Sequence, residues 1–215
     1  MRSPRSGKPM SYSAITKRRK PRCAARSRHI ATWARKNQKR QPAVFVDRDG
    51  TLIEEVNYLS HVEDLRLFPF TGSAVSELKA HGFLVIVVTN QSGIGRDIFD
   101  EAAMHDIHRS IQETLSGAID AFYFCPHLPC DGCKCRKPGS GMIDAAINEF
   151  DIDLERSWMV GDKKSDVELG QNSGLKSALV LTGYGQLHKN ILEILPEVIE
   201  ADLGEAVKRI IESLS

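Results

Sequence analysis

Six consecutive apolar residues, Phe83-Leu84-Val85-Ile86-Val87-Val88, constrain the fold more than any other stretch of this chain. A strand with one wet face alternates apolar and polar side chains. A run without polar breaks belongs to a strand covered on both faces, as in a parallel sheet between helices. No apolar run is longer, and six residues fall far short of a bilayer span, which argues against an integral membrane protein.

Around this run, apolar strands alternate with helical periodicity. Ala43–Val46 reads as a strand, and Gly72–Ala80 has helical spacing (Ala74, Val75, Leu78) stopped by Gly82. Ala103, Ile107, Ile111 and Leu115 recur every four positions within a helix over 99–115. Ile119–Phe124 is the third strand. A helix near 141–150, a strand Trp158–Val160, a helix near 165–172, a strand Ala178–Leu181 and a helix over 203–214 complete the series. The alternation predicts an α/β fold with a Rossmann-like, doubly wound parallel sheet. Ligands of such sheets lie beyond the carboxyl ends of the strands.

Charge divides the chain in two. Residues 1–42 hold 14 of the 29 Lys and Arg and no acid, so residues 43–215 carry 15 basic against 28 acidic side chains. With few large apolar residues, 1–42 is expected to be a largely disordered basic extension, and 43–215 the folded domain. Three readings of the extension compete: an arm for nucleic acid or an anionic surface, an organelle transit peptide, or upstream sequence from a wrong start site. An acidic body gives no reason to expect a nucleic-acid partner beyond that tail.

The strand ends carry the chemistry. After the first stand Asp47 and Asp49, two positions apart and so on one side of an extended backbone, followed by Gly50-Thr51. After the second come Thr89-Asn90-Gln91-Ser92-Gly93, after the third Arg136-Lys137-Pro138, and after the fourth Gly161-Asp162-Lys163-Lys164-Ser165-Asp166. Two acids, a hydroxyl, a cation and a second pair of acids suit phosphoryl transfer. One carboxylate can attack phosphorus, and a second can move the proton. The hydroxyl and the lysine can stabilise the equatorial oxygens. Three carboxylates in one cleft call for a hard cation, Mg²⁺.

Between Cys125 and Cys135 lie four of the five cysteines, beside His127. Cys125, His127, Cys133 and Cys135 make a Cys₃His set suited to a structural Zn²⁺ in a reducing compartment, with Cys130 a surplus thiol able to replace a ligand. Such a loop would position Arg136 and Lys137 and take no part in bond breaking.

Asp47-Arg48-Asp49-Gly50-Thr51-Leu52, Thr89-Asn90-Gln91, Lys137 and Gly161-Asp162-x-x-x-Asp166 resemble, in order, the four motifs of haloacid dehalogenase-like phosphatases. The resemblance implies Asp47 as nucleophile, Asp49 as general acid/base, and Thr89 and Lys137 as phosphoryl stabilisers. It implies Mg²⁺ held by Asp47, Asp162 and the backbone carbonyl of Asp49, with Asp166 just behind them. The cysteine loop narrows it to two small, capless types with a zinc-binding loop, the heptose-bisphosphate phosphatases and the histidinol-phosphatases. The loop length suits the second at least as well. Thr89–Arg96 and Val160–Lys163 favour the first. That resemblance implies substrate contacts from Arg136, Lys163, Asn90, Gln91 and Ser92, with Glu55, Asn57 and Tyr58 on the sugar side. The last stretch departs from the usual Asp-x-Gly-Tyr-like pattern. The positive charge of Arg136, Lys137, Lys163 and Lys164 exceeds what one phosphate requires, which favours a sugar bisphosphate. The expected enzyme is a cytoplasmic monomer acting on a small sugar phosphate. A DNA 3′-phosphatase and a zinc-stabilised binding module are further alternatives.

Overall fold

The computed structural model describes residues 40–214 and the backbone of one short strand, Tyr12–Ala14. Apart from that strand and residues 40–42, the expected basic extension lies outside the described residues. The strands are β1 (Tyr12–Ala14), β2 (Ala43–Val46), β3 (Leu84–Asn90), β4 (Ala121–Cys125), β5 (Trp158–Gly161), β6 (Lys176–Val180) and β7 (Val198–Glu200). The helices are α1 (Thr71–Ala80), α2 (Ser92–Gly95), α3 (Glu101–Thr114), α4 (Gly141–Glu149), α5 (Lys164–Asn172), α6 (Gly185–His188) and α7 (Leu203–Glu212).

The seven strands form one parallel sheet in the order β1-β4-β3-β2-β5-β6-β7. Alternate residues of the continuous apolar run turn to opposite faces. Val44, Val46, Val85, Val87, Phe122 and Val160 meet Ala74, Val75 and Leu78 of α1, Ile107 and Ile111 of α3, and Ala206, Val207 and Ile210 of α7. Phe45, Ile86, Val88, Tyr123 and Met159 meet Met142, Ile143 and Ala146 of α4 and Leu169 of α5. Each Val, Leu, Ile, Phe or Met among them taken from water contributes about 1.5–3 kcal/mol, and this layering is what holds the sheet rigid.

Sequence periodicity did not anticipate β1, β7, α2 or α6. β7 is three residues long and only half-buried at the edge of the sheet, so it carries no apolar run. The feature that matters for function is the reversal of strand order at β2. β3 and β4 lie to one side and β5 and β6 to the other, so the crevice beyond β2 opens between diverging connections.

Candidate active site

The ladder continues one residue past β2, with Asp47 N–H donating to Val160 O at 2.9 Å. The chain then turns tightly, and the Arg48 carbonyl accepts from the backbone of Leu52 and Ile53. Gly50 makes the turn with φ +82°, and a Cβ there would overlap the Asp162 carboxylate. Glycine is therefore required twice over, by its backbone angle and by the close approach.

Lys137, on the loop after β4, is 4% exposed. Its ammonium lies 2.8 Å from Asp47 Oδ1 and 2.6 Å from Asp166 Oδ1, and donates to Val88 O at 3.0 Å. Two carboxylate oxygens and a carbonyl thus surround the ammonium. Burial pulls its pKa down, but Asp166 and Asp47 more than offset that, and the net shift is upward. Asp47 Oδ1 also accepts from Arg48 N–H at 2.7 Å. Asp166 sits in the first turn of α5, where its Oδ2 accepts from Lys163 N–H at 3.0 Å. Asp162 is wholly buried, and its Oδ2 accepts from Tyr184 N–H at 2.8 Å. Its Oδ1 has no hydrogen-bond partner among the described residues, with the Lys163 ammonium 3.8 Å away. Burial and the Asp47 charge push the Asp162 carboxyl up to about 8.

One carboxylate oxygen from each of Asp47, Asp162 and Asp166 lies within 4.8 Å of the other two. The resemblance puts the Asp49 backbone, not its side chain, at the metal. The Asp49 carboxylate does turn elsewhere, into the fork of the Arg48 guanidinium, 3.1 Å from Nε and 2.9 Å from Nη2. Its Oδ2 also accepts from Gln91 Nε2 at 2.8 Å, with the Thr89 hydroxyl 3.4 Å away. Burial raises the Asp49 pKa, but Arg48 and Gln91 outweigh it and hold the carboxyl below its ordinary range.

A cavity of about 340 Å³ opens beside these groups. Asp49, Glu55, Asn57, Tyr58, Asn90, Gln91, Ser92, Arg136, Lys137 and Lys163 all line it. Asp47, Thr89, Asp162 and Asp166 are buried next to it. Two expected substrate contacts are engaged within the protein. The Asn90 amide pairs with the backbone of Lys137, at 3.0 Å from its N–H and 3.3 Å from its O, and so fixes the lysine's loop. Gln91 donates to Asp49 and to Thr89 Oγ1. Across the cavity, Lys163 pairs with Glu55 at 3.0 Å and lies 4.9 Å from the centre of the Tyr184 ring. Burial pushes the Glu55 carboxyl up, and Lys163 only partly offsets it.

Sequence reasoning missed Ser165 and Tyr184, which also line the cavity, and the buried role of Arg48. Tyr184 follows β6, so inspecting a fifth strand end would have found it. Arg48 gave no comparable signal, because it stands between two acids that drew attention to themselves.

The cysteine loop is as compact as expected. Cys125, Cys133 and Cys135 have Sγ atoms 3.4–3.6 Å apart, and His127 Nδ1 lies 3.5 and 3.3 Å from Cys125 and Cys135. A tetrahedron with Zn–S bonds of about 2.3 Å has S···S edges of roughly 3.8 Å, so these four ligands need little movement to close on zinc. Cys130 is exposed and stands outside the cluster. The loop is tied to the cavity by Arg136, which donates to His127 O at 3.2 Å. The acid cluster fits Mg²⁺ for a different reason: hard oxygens, with Asp162 Oδ1 and Asp166 Oδ1 accepting no hydrogen bond among the described residues, in a cradle that Gly50 keeps open.

The comparisons with known proteins agree with this geometry. The HAD-hydrolase-like family model matches residues 134–206. A D-glycero-D-manno-heptose-1,7-bisphosphate 7-phosphatase of Thermosynechococcus vestitus is 40% identical over 195 residues, covering 81% of this chain and 98% of the relative. The chain belongs to the heptose-bisphosphate phosphatase family. The family's D-glycero-beta-D-manno-heptose-1,7-bisphosphate 7-phosphatase of Haemophilus ducreyi is 39% identical over 153 residues, covering 66% of this chain and 84% of the relative. The structure of D,D-heptose 1,7-bisphosphate phosphatase from B. bronchiseptica, complexed with magnesium and phosphate, superposes with a TM-score of 0.75 at 30% identity, covering 80% of this chain and 99% of that one. As a member of this family the protein is a phosphatase of the haloacid dehalogenase-like fold. Among the described residues no helix is long and apolar enough to cross a membrane.

Proposed function

We propose that this enzyme removes the 7-phosphate of D-glycero-D-manno-heptose 1,7-bisphosphate by way of an aspartyl-phosphate on Asp47. The observation that carries the reading is the Lys137 ammonium shared between Asp47 and Asp166, at the floor of a cavity walled by further cations. Asp47 Oδ1 is held by Lys137 and the Arg48 N–H, which leaves the second oxygen to attack phosphorus. The incoming phosphate monoanion hands its proton to Asp49, which Arg48 and Gln91 otherwise keep ionised. The P–O bond to the sugar then breaks, and the leaving alkoxide takes that proton from Asp49. In the second step Asp49 takes a proton from water, and that water attacks the aspartyl-phosphate to release inorganic phosphate and restore Asp47. Lys137 and the Thr89 hydroxyl steady the equatorial oxygens. Asp47, Asp162 and the Asp49 carbonyl would hold Mg²⁺, with Asp166 behind them. When bound, the ion offsets the charge of the carboxylates and of the phosphoryl oxygens.

Arg136 and Lys163 line the cavity and suit the second phosphate, with Glu55, Asn57 and Tyr58 towards the sugar. Such cations disfavour the positively charged histidinol phosphate. Cys125, His127, Cys133 and Cys135 would hold Zn²⁺ as a structural ion that fixes the loop bearing Arg136 and Lys137. We take residues 43–215, about four-fifths of the chain, as the phosphatase domain. We place the enzyme in the cytoplasm as a monomer.

Phosphate release from heptose bisphosphate and from histidinol phosphate, measured side by side with Mg²⁺, tests the substrate. A kcat/KM higher for heptose bisphosphate is expected. A preference for histidinol phosphate would overturn the assignment.

A further inference from the structure

We infer that His108, on α3, is a positioning residue that orients Asp49 through the Arg48 guanidinium. The inference rests on Asp49 moving the proton in the reaction proposed above. Arg48 is 1% exposed and one of the largest fully buried side chains among the described residues. A guanidinium in such a place must have its donors met. Two of its three nitrogens, Nε and Nη2, fork onto the Asp49 carboxylate, while Nη1 lies 3.4 Å from His108 Nε2. Arginine can only donate, so Nε2 is the acceptor and the neutral ring carries its proton on Nδ1.

The position of His108 makes this contact specific. It occupies the buried face of α3 beside Met104, Ile107 and Ile111, where an apolar residue would otherwise be expected. Its ring is stacked on Phe122 of β4, with centroids 4.5 Å apart and planes inclined by 22°. The imidazole is thus fixed by the sheet, and it fixes Nη1 in turn. The remaining edge of the guanidinium then meets Asp49 in one orientation, with Gln91 bonded to the same carboxylate. A carboxylate at position 108 would compete with Asp49 for the cation. A neutral imidazole supplies an acceptor without drawing that charge away. Burial, with Arg48 and His105 nearby, holds the His108 pKa well below its ordinary value, in keeping with a neutral ring.

A positioned acid matters most when the leaving group is a poor one. A sugar alkoxide needs its proton as it departs, whereas p-nitrophenolate leaves without one. The readout is therefore the ratio of kcat/KM for heptose bisphosphate to kcat/KM for p-nitrophenyl phosphate, in which the fraction of folded enzyme cancels. Each kcat/KM ends at departure of the leaving group, before the water step that Asp49 also serves. His108→Phe keeps a ring against Phe122 and offers no acceptor. It should lower the ratio about tenfold with KM for the sugar substrate nearly unchanged. His108→Gln restores an acceptor oxygen and should hold the ratio within about threefold of the parent. If His108→Phe does not fold, Arg48→Lys, which cannot fork onto Asp49, carries the same expectation of a lowered ratio. A folded His108→Phe or Arg48→Lys enzyme with the parent ratio would overturn the inference, as would a His108→Gln ratio as low as that of His108→Phe. If the parent enzyme hydrolyses p-nitrophenyl phosphate but not heptose bisphosphate, the substrate assignment alone has failed, and the ratio is taken with an alkyl phosphomonoester instead.

Discussion

Replacing Asp49 with asparagine keeps the side chain's shape and removes its charge, and the structure says how the cost should fall. Arg48 and Asp49 form an ion pair at 2.9 Å in which the arginine side chain is 1% exposed and the aspartate 14%. Asp49→Asn leaves a fully buried guanidinium facing one neutral oxygen and His108. Losing one partner of a buried pair costs about 3–5 kcal/mol, or roughly 10 °C in Tm for a domain of this size. Arg48→Met leaves the carboxylate with its Gln91 donor and an opening to the cavity, so about 1–2 kcal/mol is expected. In the double variant neither charge is stranded. Its loss of stability should therefore be smaller than the two single losses combined, with a coupling of about 3 kcal/mol. Activity should behave differently, because the single and the double variant that lack the Asp49 carboxylate both lose the group that moves the proton. Their kcat for the sugar substrate should fall by about 10²–10⁴. Urea unfolding followed by circular dichroism, with phosphate release on the same samples, measures both quantities. Strictly additive stabilities, or an Asp49→Asn variant no less stable than Arg48→Met, would refute the reasoning.

Five further outcomes are expected. Stripping zinc with a strong chelator should lower Tm and kcat together, because the same loop carries Lys137. Metal analysis of the native protein should find one zinc per chain, and Cys133→Ser should lose it. His108 has a folded pKa below its ordinary 6.5, so the unfolded chain binds the extra proton as pH falls. The stabilisation is therefore present above about 6.5 and lost below it, and denaturation from about pH 7.5 to 5 should show a shallower decline in His108→Phe. A Cβ at Gly161 would strike the Asp166 carboxylate, which pairs with Lys137. Gly161→Ala should thus cut kcat at least about tenfold with a small change in overall helicity, and an unchanged kcat would show that Asp166 has room to move. Glu55→Gln should free Lys163 from its 3.0 Å ion pair and lower KM for a bisphosphate more than for a monophosphate.

The fold was legible because a parallel sheet between helices leaves long apolar runs, and Phe83–Val88 could hardly be anything else. β7 was not, since a half-buried edge strand of three residues has too few apolar contacts to impose a pattern. The site residues were findable because strand ends at a reversal of strand order converge, and Asp47, Thr89, Lys137 and Asp162 stand at or just beyond such ends. How those groups pair was not findable. Arg48 and His108 are 60 positions apart, and Asn90 meets Lys137 across 47. Such contacts depend on the packing of α3 and of the cysteine loop against the sheet, which no local spacing encodes. The Asp166 carboxylate was expected behind the metal ligands. It pairs with Lys137 and has an oxygen within 4.8 Å of those of Asp47 and Asp162, because the first turn of α5 brings it back towards β5.

Covalent chemistry at Asp47 is the centre of the account, and acid-quenched mass spectrometry of the enzyme during turnover tests it most directly. The expected result is a phosphoryl adduct on the peptide containing Asp47, absent from Asp47→Asn, which should also have lost its activity. An Asp47→Asn enzyme that hydrolyses the sugar phosphate at the parent rate, or an adduct mapped to another residue, would contradict it.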